Sequence, residues 1–241
     1  MKQIKQLKIN NKLYTFNIYT EKRNSTRASI TKTAITIRIP KHLSKQRQEI
    51  ETQNLINWAI KKIEISPPKE NIKKIYSHLD ILVIYDEKYI LHIENRISEK
   101  NFAKINKNRI EFKIAYHHSK DKKQEYIKKQ LKKLIEKHHI GEITKRVHKI
   151  NDLCFNKKIE NVKIKYLTSK WGHCTSKNEV CLSTRLLLAP KAVLNYVIVH
   201  ELAHLIEMNH SKKFWNIVKA VDKTYKAKEK WLKDYGHTLV I

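Results

Sequence analysis

The sequence predicts an α+β protein, with a β-rich N-terminal half that contains one helix and a C-terminal half that is mainly helical. Alternating apolar and polar positions with many β-branched residues dominate the first 118 residues. Apolar residues at helical spacing dominate the remainder. The polar stretch HHSKDKK, residues 117–123, marks the expected boundary between a β-rich region over 1–118 and a second domain over 119–241.

The β-rich region is expected to contain two groups of strands with a helix between them. LYTFNIYT (residues 13–20) and ASITKTAITIRIP (residues 28–40) predict a hairpin. LSKQRQEIETQNLINWAIKKI has the apolar spacing of a helix, which the Pro67–Pro68 pair is predicted to stop. The second group comprises DILVIYDEKYILHI, with a turn at Asp86–Glu87, and RIEFKI.

A lysine-dense helical pattern extends from Lys122 to about Leu153. Gly141 is predicted to divide it into two helices, because glycine weakens the interior of a helix. His138 and His139, close to that break, are expected at the surface rather than in a metal site.

The last third predicts two strands, two helices and the turns between them. The strands flank a turn at Ser176-Lys177-Asn178, and the first helix is expected to begin near Pro190 and to reach Met208. The second, SKKFWNIVKAVDKTYKAKEKWLKDY, is expected to be one continuous helix capped by Ser211.

The charge balance limits the classes of partner. A formal net charge of +28 suggests nucleic acid or another polyanion, but lysine outnumbers arginine 43 to 8. Arginine is the side chain suited to bidentate phosphate contacts, so a solvated basic surface is the alternative interpretation. Only three glycines occur, which excludes the glycine-rich loops of nucleotide-binding sites.

Cysteine content and hydropathy limit the compartment. Cys154, Cys174 and Cys181 form no CxxC pair, so neither a disulfide framework nor a cysteine-only zinc site is predicted. The N-terminal residues lack the apolar stretch of a secretory signal, and no segment has the roughly 18 apolar residues of a membrane span. A soluble, cytoplasmic protein with no membrane partner is therefore expected.

HELAHLIEMNH, residues 200–210, places ionisable side chains in a helix whose apolar residues face nearly every direction. Such a helix belongs in a core, where an unpaired carboxylate is costly, so Glu201 needs a compensating partner. A metal ion supplies one. His200 and His204 lie on one face of a helix because they are four residues apart, and Glu201 beside them can act as base on a metal-bound water.

His210 is the candidate third ligand, because catalytic zinc sites combine three protein ligands with one open position. A continuous helix would carry residue 210 away from the ligand face, so the chain is predicted to bend between Met208 and Asn209. Asn209 is expected to end the helix in the left-handed conformation that asparagine tolerates. The pattern therefore predicts a Zn²⁺ site formed by His200, His204 and His210.

HELAHLIEMNHSKKFW, preceded by KWGHCTSKNEVCLSTRLLLAP, resembles the YgjP-like zinc metallopeptidases, which are related to the SprT-like and WLM-type HExxH proteases. The resemblance is close from about Tyr166 to Leu232 and weaker but consistent over the earlier strands and helix. It implies that residues 119–241 form a zincin-like metallopeptidase domain, built from a β-hairpin, the HExxH helix and a C-terminal helix. It also implies zinc ligation by the three histidines and general-base catalysis by Glu201.

The family usually has arginine and serine where this chain has Lys170 and His173. His173 is a candidate transition-state donor, with a solvent-facing strand histidine as the alternative. The strand from Lys170 to Cys174 is a candidate edge for pairing with an extended peptide, and Trp171 and Gly172 would permit close approach. A core tryptophan beside a bulge glycine is the alternative for that pair.

The predicted function is hydrolysis of peptide bonds in a peptide or protein substrate by a zinc-bound water that Glu201 activates. Cys174 or Cys181 as sulfur ligands, and Glu229 as a substitute third ligand, are alternatives for the site. A nucleic-acid-associated metalloprotein, which like SprT-like proteins would act on DNA-bound proteins, is the alternative function. Nucleotide pyrophosphatase activity ranks third, because six aspartates without a tight carboxylate cluster make a magnesium site difficult to build.

Overall fold

Strands and helices occur in blocks along the chain, in agreement with the predicted α+β class and β-rich N-terminal half. The structure is a computed structural model that describes residues 2–31, 34–65, 74–98 and 100–241. None of the helices in these ranges is long and apolar enough to cross a membrane.

The chain divides into two units, Met1–Asn71 and Ile72–Ile241, each with a hydrophobic core of its own. The predicted boundary near residue 118 falls inside the second unit, immediately before Ser119, which caps a long helix. The two compact units therefore divide near residue 71, whereas the sequence changes from β-rich to helical near residue 118.

The first unit contains a four-stranded sheet in the order β1-β2-β4-β3 and one helix. Strands β2 and β4 run parallel, whereas β1–β2 and β3–β4 are antiparallel. The predicted hairpin between segments 13–20 and 28–40 is therefore wrong, because the second segment contains two strands that pair with each other. The elements are β1 (Lys2–Ile9), β2 (Lys12–Glu21), β3 (Arg27–Ile30), β4 (Ala34–Pro40) and α1 (Lys45–Ile65).

Helix α1 lies in the segment where the apolar spacing predicted a helix. Ile56, Ala59 and Ile63, which are three and four residues apart, are buried in the core of the first unit together with the sheet residues. Pro67–Pro68, the predicted stop for this helix, lies outside the described residues.

The second unit begins with the same arrangement of four strands and a helix. Its sheet has the order β5-β6-β8-β7, with β6 and β8 parallel and the outer pairs antiparallel. The two units therefore repeat one ββββα topology, although the sequence shows no internal repeat. The elements are β5 (Ile81–Ile84), β6 (Glu87–Arg96), β7 (Phe102–Asn106), β8 (Arg109–Ala115) and α2 (Lys120–Cys154).

The turn between β5 and β6 lies at Tyr85 and Asp86, one residue earlier than predicted. Both residues have positive φ, 55° for Tyr85 and 65° for Asp86, as a two-residue hairpin turn requires. The Lys191 side chain stabilises the turn, since its Nζ lies 4.6 Å from the Tyr85 ring centroid and 3.6 Å from Asp86 Oδ2.

Helix α2 is continuous, so the predicted break at Gly141 is wrong. Its buried side chains recur every four residues, and Gly141 lies on the exposed side, where its cost in helix propensity is outweighed by packing of the opposite face. His139 is one of the buried residues, contrary to the expectation that it lies at the surface, whereas His138 is exposed. The buried apolar residues are Ile127, Leu131, Ile135, Ile143 and Val147.

The remaining elements of the second unit position the functional site. The predicted hairpin around residues 176–178 is confirmed, and its first strand is the edge of a three-stranded sheet in the order β10-β11-β9. The elements are β9 (Asn161–Lys165), β10 (Gly172–Cys174), β11 (Glu179–Ser183), α3 (Lys191–Ala203), α4 (Lys212–Val221) and α5 (Tyr225–Tyr235), with 3₁₀ turns at Thr184–Leu188 and Gly236–Thr238.

The final helical segment is divided in two at Asp222, although one continuous helix was expected. Asp222 has φ −129° and ψ 91°, and its carboxylate accepts hydrogen bonds from the backbone N–H and hydroxyl of Thr224 and from Lys228. These local bonds compete with the helix and redirect the chain into α5.

Replacing Gly141 by Ala should raise the free energy of unfolding by about 1 kcal/mol, because alanine has the higher helix propensity. A β-carbon at this position meets no atom within 4 Å. Urea-induced unfolding of the two proteins checks the expectation. A destabilised Gly141→Ala variant would contradict a continuous α2 at this residue.

Burial lowers the pKa of His139 from 6.5 to about 4. As pH falls from about 6.5 to about 4, the unfolded chain binds a proton that the folded chain does not, and stability is lost by up to about 3 kcal/mol. His139→Leu removes this difference. Between these pH values the slope of the unfolding free energy against pH should decrease by about 1.4 kcal/mol per pH unit, which corresponds to one proton. An unchanged slope would contradict a lowered pKa of His139.

Candidate metal centre and active-site cleft

A cleft of about 1010 Å³ in the second unit is lined by α3, β10 and α5. Helix α3 contributes Tyr196 and His200, and His204 caps its C-terminal end; the three recur every four residues and therefore share one face. The other faces of α3 are buried among apolar residues, as the sequence predicted for a helix in the middle of a core. The core thus holds this helix in place while one stripe of polar side chains faces the cleft.

The chain turns back after α3 and brings His210 to the two helix histidines. Helix α3 ends at Ala203, and a tight turn follows in which the N–H of Glu207 donates to the Ala203 carbonyl at 3.0 Å. The bend therefore starts earlier than predicted, and Asn209 does not have the positive φ that was expected of it. Ser211 caps α4 as predicted, with its Oγ accepting from the Phe214 N–H at 3.3 Å.

The nitrogen atoms of His200, His204 and His210 have the spacing of a metal site. One ligand atom from each residue lies within 4.8 Å of the others, and the Nε2 atoms of His200 and His210 are 2.9 Å apart. Tetrahedral zinc with nitrogen ligands at about 2.0–2.1 Å requires nitrogen separations of about 3.3 Å. The observed separations lie on both sides of that value.

A hydrogen bond selects the tautomer of one of these histidines. His204 Nδ1 lies 3.1 Å from the Glu207 carbonyl oxygen, an acceptor, so Nδ1 carries the proton and Nε2 keeps its lone pair. Metal-bound histidines in proteins almost always donate their other ring nitrogen in this way. The turn that follows α3 therefore orients His204 for metal binding.

Phe214 packs against all three imidazoles. Its ring centroid lies 4.9 Å from that of His200, 4.5 Å from that of His204 and 4.8 Å from that of His210, and its side chain is fully buried. Trp215 stacks on His210 at 5.9 Å. The first turn of α4 thus forms an apolar wall behind the histidine cluster.

Burial keeps the histidines in the form that binds a metal. The pKa of His200 is lowered to about 3 by burial and by the neighbouring His204 and His210. Burial also lowers the pKa of His204. Neutral imidazoles are the metal-binding form, so neither side chain would have to lose a proton at neutral pH to bind a metal.

Glu201 is buried beside the cluster, with 5% of its surface exposed. Burial raises the pKa of its carboxyl group to about 8, opposed by the charge of Lys170 and by a backbone hydrogen bond from Cys174. A divalent cation at the histidines would act in the same direction as Lys170, since positive charge favours the carboxylate. The residues therefore fit a metal ion both in geometry and in charge.

Strand β10 brings Gly172 to Glu201, whereas His173, which also lines the cleft, projects from the other face of the sheet. The register pairs His173 with Cys181, whereas Gly172 and Cys174 pair with Leu182 and Val180. Because side chains alternate along a strand, His173 lies on the sheet face opposite to Gly172 and Cys174. Its pKa is lowered by burial and by the charges of lysines that include Lys170 and Lys165.

The alternative ligands are not part of the histidine group. Among the described residues, the one set of three or more potential ligands with metal-site spacing is the histidine triad. Burial raises the pKa of the Cys174 thiol to about 11, which disfavours a thiolate, and Cys181 lies on the opposite sheet face. Glu229 lines the cleft from α5 without joining the triad.

Arg185 fixes the cleft wall and was not identified from the sequence. Its guanidinium group lies 4.2 Å from the Trp171 ring centroid and donates to the carbonyl oxygens of Gly236 and Leu239, each at 2.8 Å. Trp171 is thereby held between Arg185 and Gly236, where a β-carbon would collide with its ring. An arginine within the apolar run STRLLLA was the available signal.

The sequence matches a metallopeptidase domain over most of its length. A family model described as YgjP-like, metallopeptidase domain, matches residues 24–235, and the chain belongs to the YgjP-like family. Membership implies a metal cofactor. The crystal structure of the metallopeptidase zymogen of Pyrococcus abyssi abylysin is similar over 36% of this chain and 90% of that chain, with 21% identity and a TM-score of 0.33. No curated protein matches the chain.

Replacing His200, His204 or His210 by Ala should remove stoichiometric metal binding, because each variant leaves only two imidazoles. Elemental analysis after dialysis against zinc measures the effect. His173→Ala is the matched control and should retain one metal ion, since its side chain lies on the other sheet face. Equal metal content in the His210→Ala and His173→Ala proteins would contradict a three-histidine site.

Proposed function

We propose that this chain is a zinc-dependent HExxH peptidase with a zincin-like catalytic domain, in which Glu201 is the general base. The observation that carries the proposal is the combination of three convergent imidazoles with a buried carboxylate on the next residue of the same helix. HExxH supplies this combination because positions i and i+4 share one helix face.

Zinc is the metal that this ligand set favours. Imidazole nitrogen suits zinc better than the oxygen-binding magnesium or calcium ions, and three protein ligands leave one position open for catalysis. A zinc ion held by three neutral imidazoles supplies a Lewis acid that polarises the scissile carbonyl and lowers the pKa of water. Carboxylates suited to a magnesium-phosphate site do not form such a group in the described part of the chain.

Glu201 would transfer the proton that peptide hydrolysis requires. As water attacks the carbonyl carbon, a C–O bond forms and the Glu201 carboxylate accepts one water proton. The protonated carboxyl then donates that proton to the leaving nitrogen as the C–N bond breaks. Its position supports this role, because Glu201 follows His200 directly on α3 and lines the same cleft as the three histidines.

An extended peptide is the substrate that the cleft favours. The Trp171 carbonyl accepts from Ser183 at 2.7 Å and the Thr175 N–H donates to Glu179 at 3.0 Å, so these residues point towards β11. Backbone groups alternate along an antiparallel strand, and those of Gly172 therefore point outward at the sheet edge. This edge lines the cleft, which supports pairing with a substrate strand.

Trp171 and His173 are expected to differ in their roles in substrate binding and catalysis. Trp171 lines the cleft and is held by Arg185, which supports a role as a fixed wall against the substrate. His173 pairs with Cys181 on the other sheet face, which favours the interpretation as a strand histidine over that as a transition-state donor.

Glu201→Gln should lower kcat by at least about 100-fold, because an amide cannot accept the proton of water. Zinc content should remain equal to that of the wild type. The assay uses the quenched fluorogenic peptide that the wild type cleaves fastest from a mixed-sequence library. Glu142→Gln, an exposed substitution on α2, is the matched control and should retain full activity. Full activity of the Glu201→Gln protein would overturn the assignment.

A further inference from the structure

Gly172 lies against the side chain of Glu201. A β-carbon placed at residue 172 would lie 2.7 Å from Glu201 Oε1 and 2.9 Å from both Cδ and Cγ. The two carbon–carbon separations are well below the optimal distance of about 3.5–4.0 Å, and the contact with Oε1 is shorter still. The Glu201 carboxylate therefore occupies the space into which any other residue would place its side chain.

The backbone conformation does not require glycine at this position. None of the described glycines has a positive φ, so Gly172 adopts a conformation that other residues also adopt. It lies within the regular pairing of β10 with β11, opposite Leu182. The need for glycine consequently comes from the approach of Glu201 and not from a turn or a bulge.

The same strand also bonds to the carboxylate. The backbone of Cys174 points outward at the sheet edge, as that of Gly172 does, because residues 171, 173 and 175 face β11. A hydrogen bond from the Cys174 backbone opposes the rise that burial causes in the pKa of Glu201. Strand β10 thus contacts the carboxylate at residue 172 by close packing and at residue 174 through its backbone.

We propose that Gly172 is a positioning residue for the general base: by lacking a side chain, it lets β10 hold the Glu201 carboxylate at the strand edge beside the histidine cluster. The inference rests on the proposed role of Glu201 as base. It connects that role with substrate binding, since the edge that would pair with the peptide is also the surface that locates the base.

A side chain at residue 172 should displace the base and leave the metal ligands in place. The three atoms nearest to such a side chain all belong to Glu201. Gly172→Ala should therefore lower kcat by about 100-fold, the loss expected for a displacement of about 1 Å, while KM changes little. Its zinc content should equal that of the wild type. Retention of the wild-type kcat would overturn the inference.

A thermodynamic cycle on the metal-free proteins provides a test that does not depend on activity. Gly172→Ala should lower Tm by about 5 °C because of crowding in a buried site. In a Glu201→Ala background the crowded atoms are absent, so the same substitution should change Tm by less than about 1 °C. Equal losses of Tm in the two backgrounds, or no loss in either, would overturn the inference.

Two further glycines are controls for the cycle. Gly236→Ala crowds Trp171, so its loss of Tm should be the same with and without Glu201. Gly141→Ala meets no atom and should leave kcat unchanged. If the wild type hydrolyses none of the library peptides, the proposed function fails, whereas the cycle still decides whether Gly172 positions Glu201.

Discussion

The burial of ionisable side chains along one helix is the constraint on which the site depends. Apolar packing on its other faces fixes α3, so the polar stripe cannot move into solvent. Burial then acts on both classes of group, lowering the pKa of His200 and raising that of Glu201. Burial therefore favours the neutral form of each side chain. A cation close to them would favour the carboxylate form of Glu201, and the neutral imidazoles could bind it without losing a proton. The fold therefore favours binding of a positive charge beside Glu201 and the three histidines.

The surrounding strands and helices fix the positions of these side chains. The turn after α3 orients His204 through a carbonyl acceptor, and α4 supplies Phe214 as a shared wall for the three imidazoles. On the opposite side, β10 approaches Glu201 closely enough to exclude a β-carbon at residue 172. Arg185 in turn anchors the tryptophan next to that glycine. The three histidines, Glu201 and the edge of β10 are therefore held by separate contacts around one cleft.

The sequence predicted correctly those elements that are determined by residues close to each other in the chain. The helical stripe of α3, the Ser211 cap and the hairpin before α3 depend on nearby residues, and the structure contains each of them. Predictions failed where distant packing decides the outcome. Gly141 is tolerated because five apolar side chains on the other face of α2 are buried. The pairing of β2 with β4 was missed because the alternation in residues 28–40 is the same for two short strands as for one long strand. His173 shows the same limit, since its face is fixed by register with β11.

The shared ββββα topology of the two units separates the scaffold from the chemistry. Both modules have the same strand order and directions, yet all the cleft residues come from the segment that follows the second module. The repeated topology therefore does not repeat the site, because every residue that lines the cleft follows α2. The strands and helices from β9 onwards have no counterpart among the described elements of the first unit, so a sheet and helix of this kind are not sufficient to form the histidine cluster.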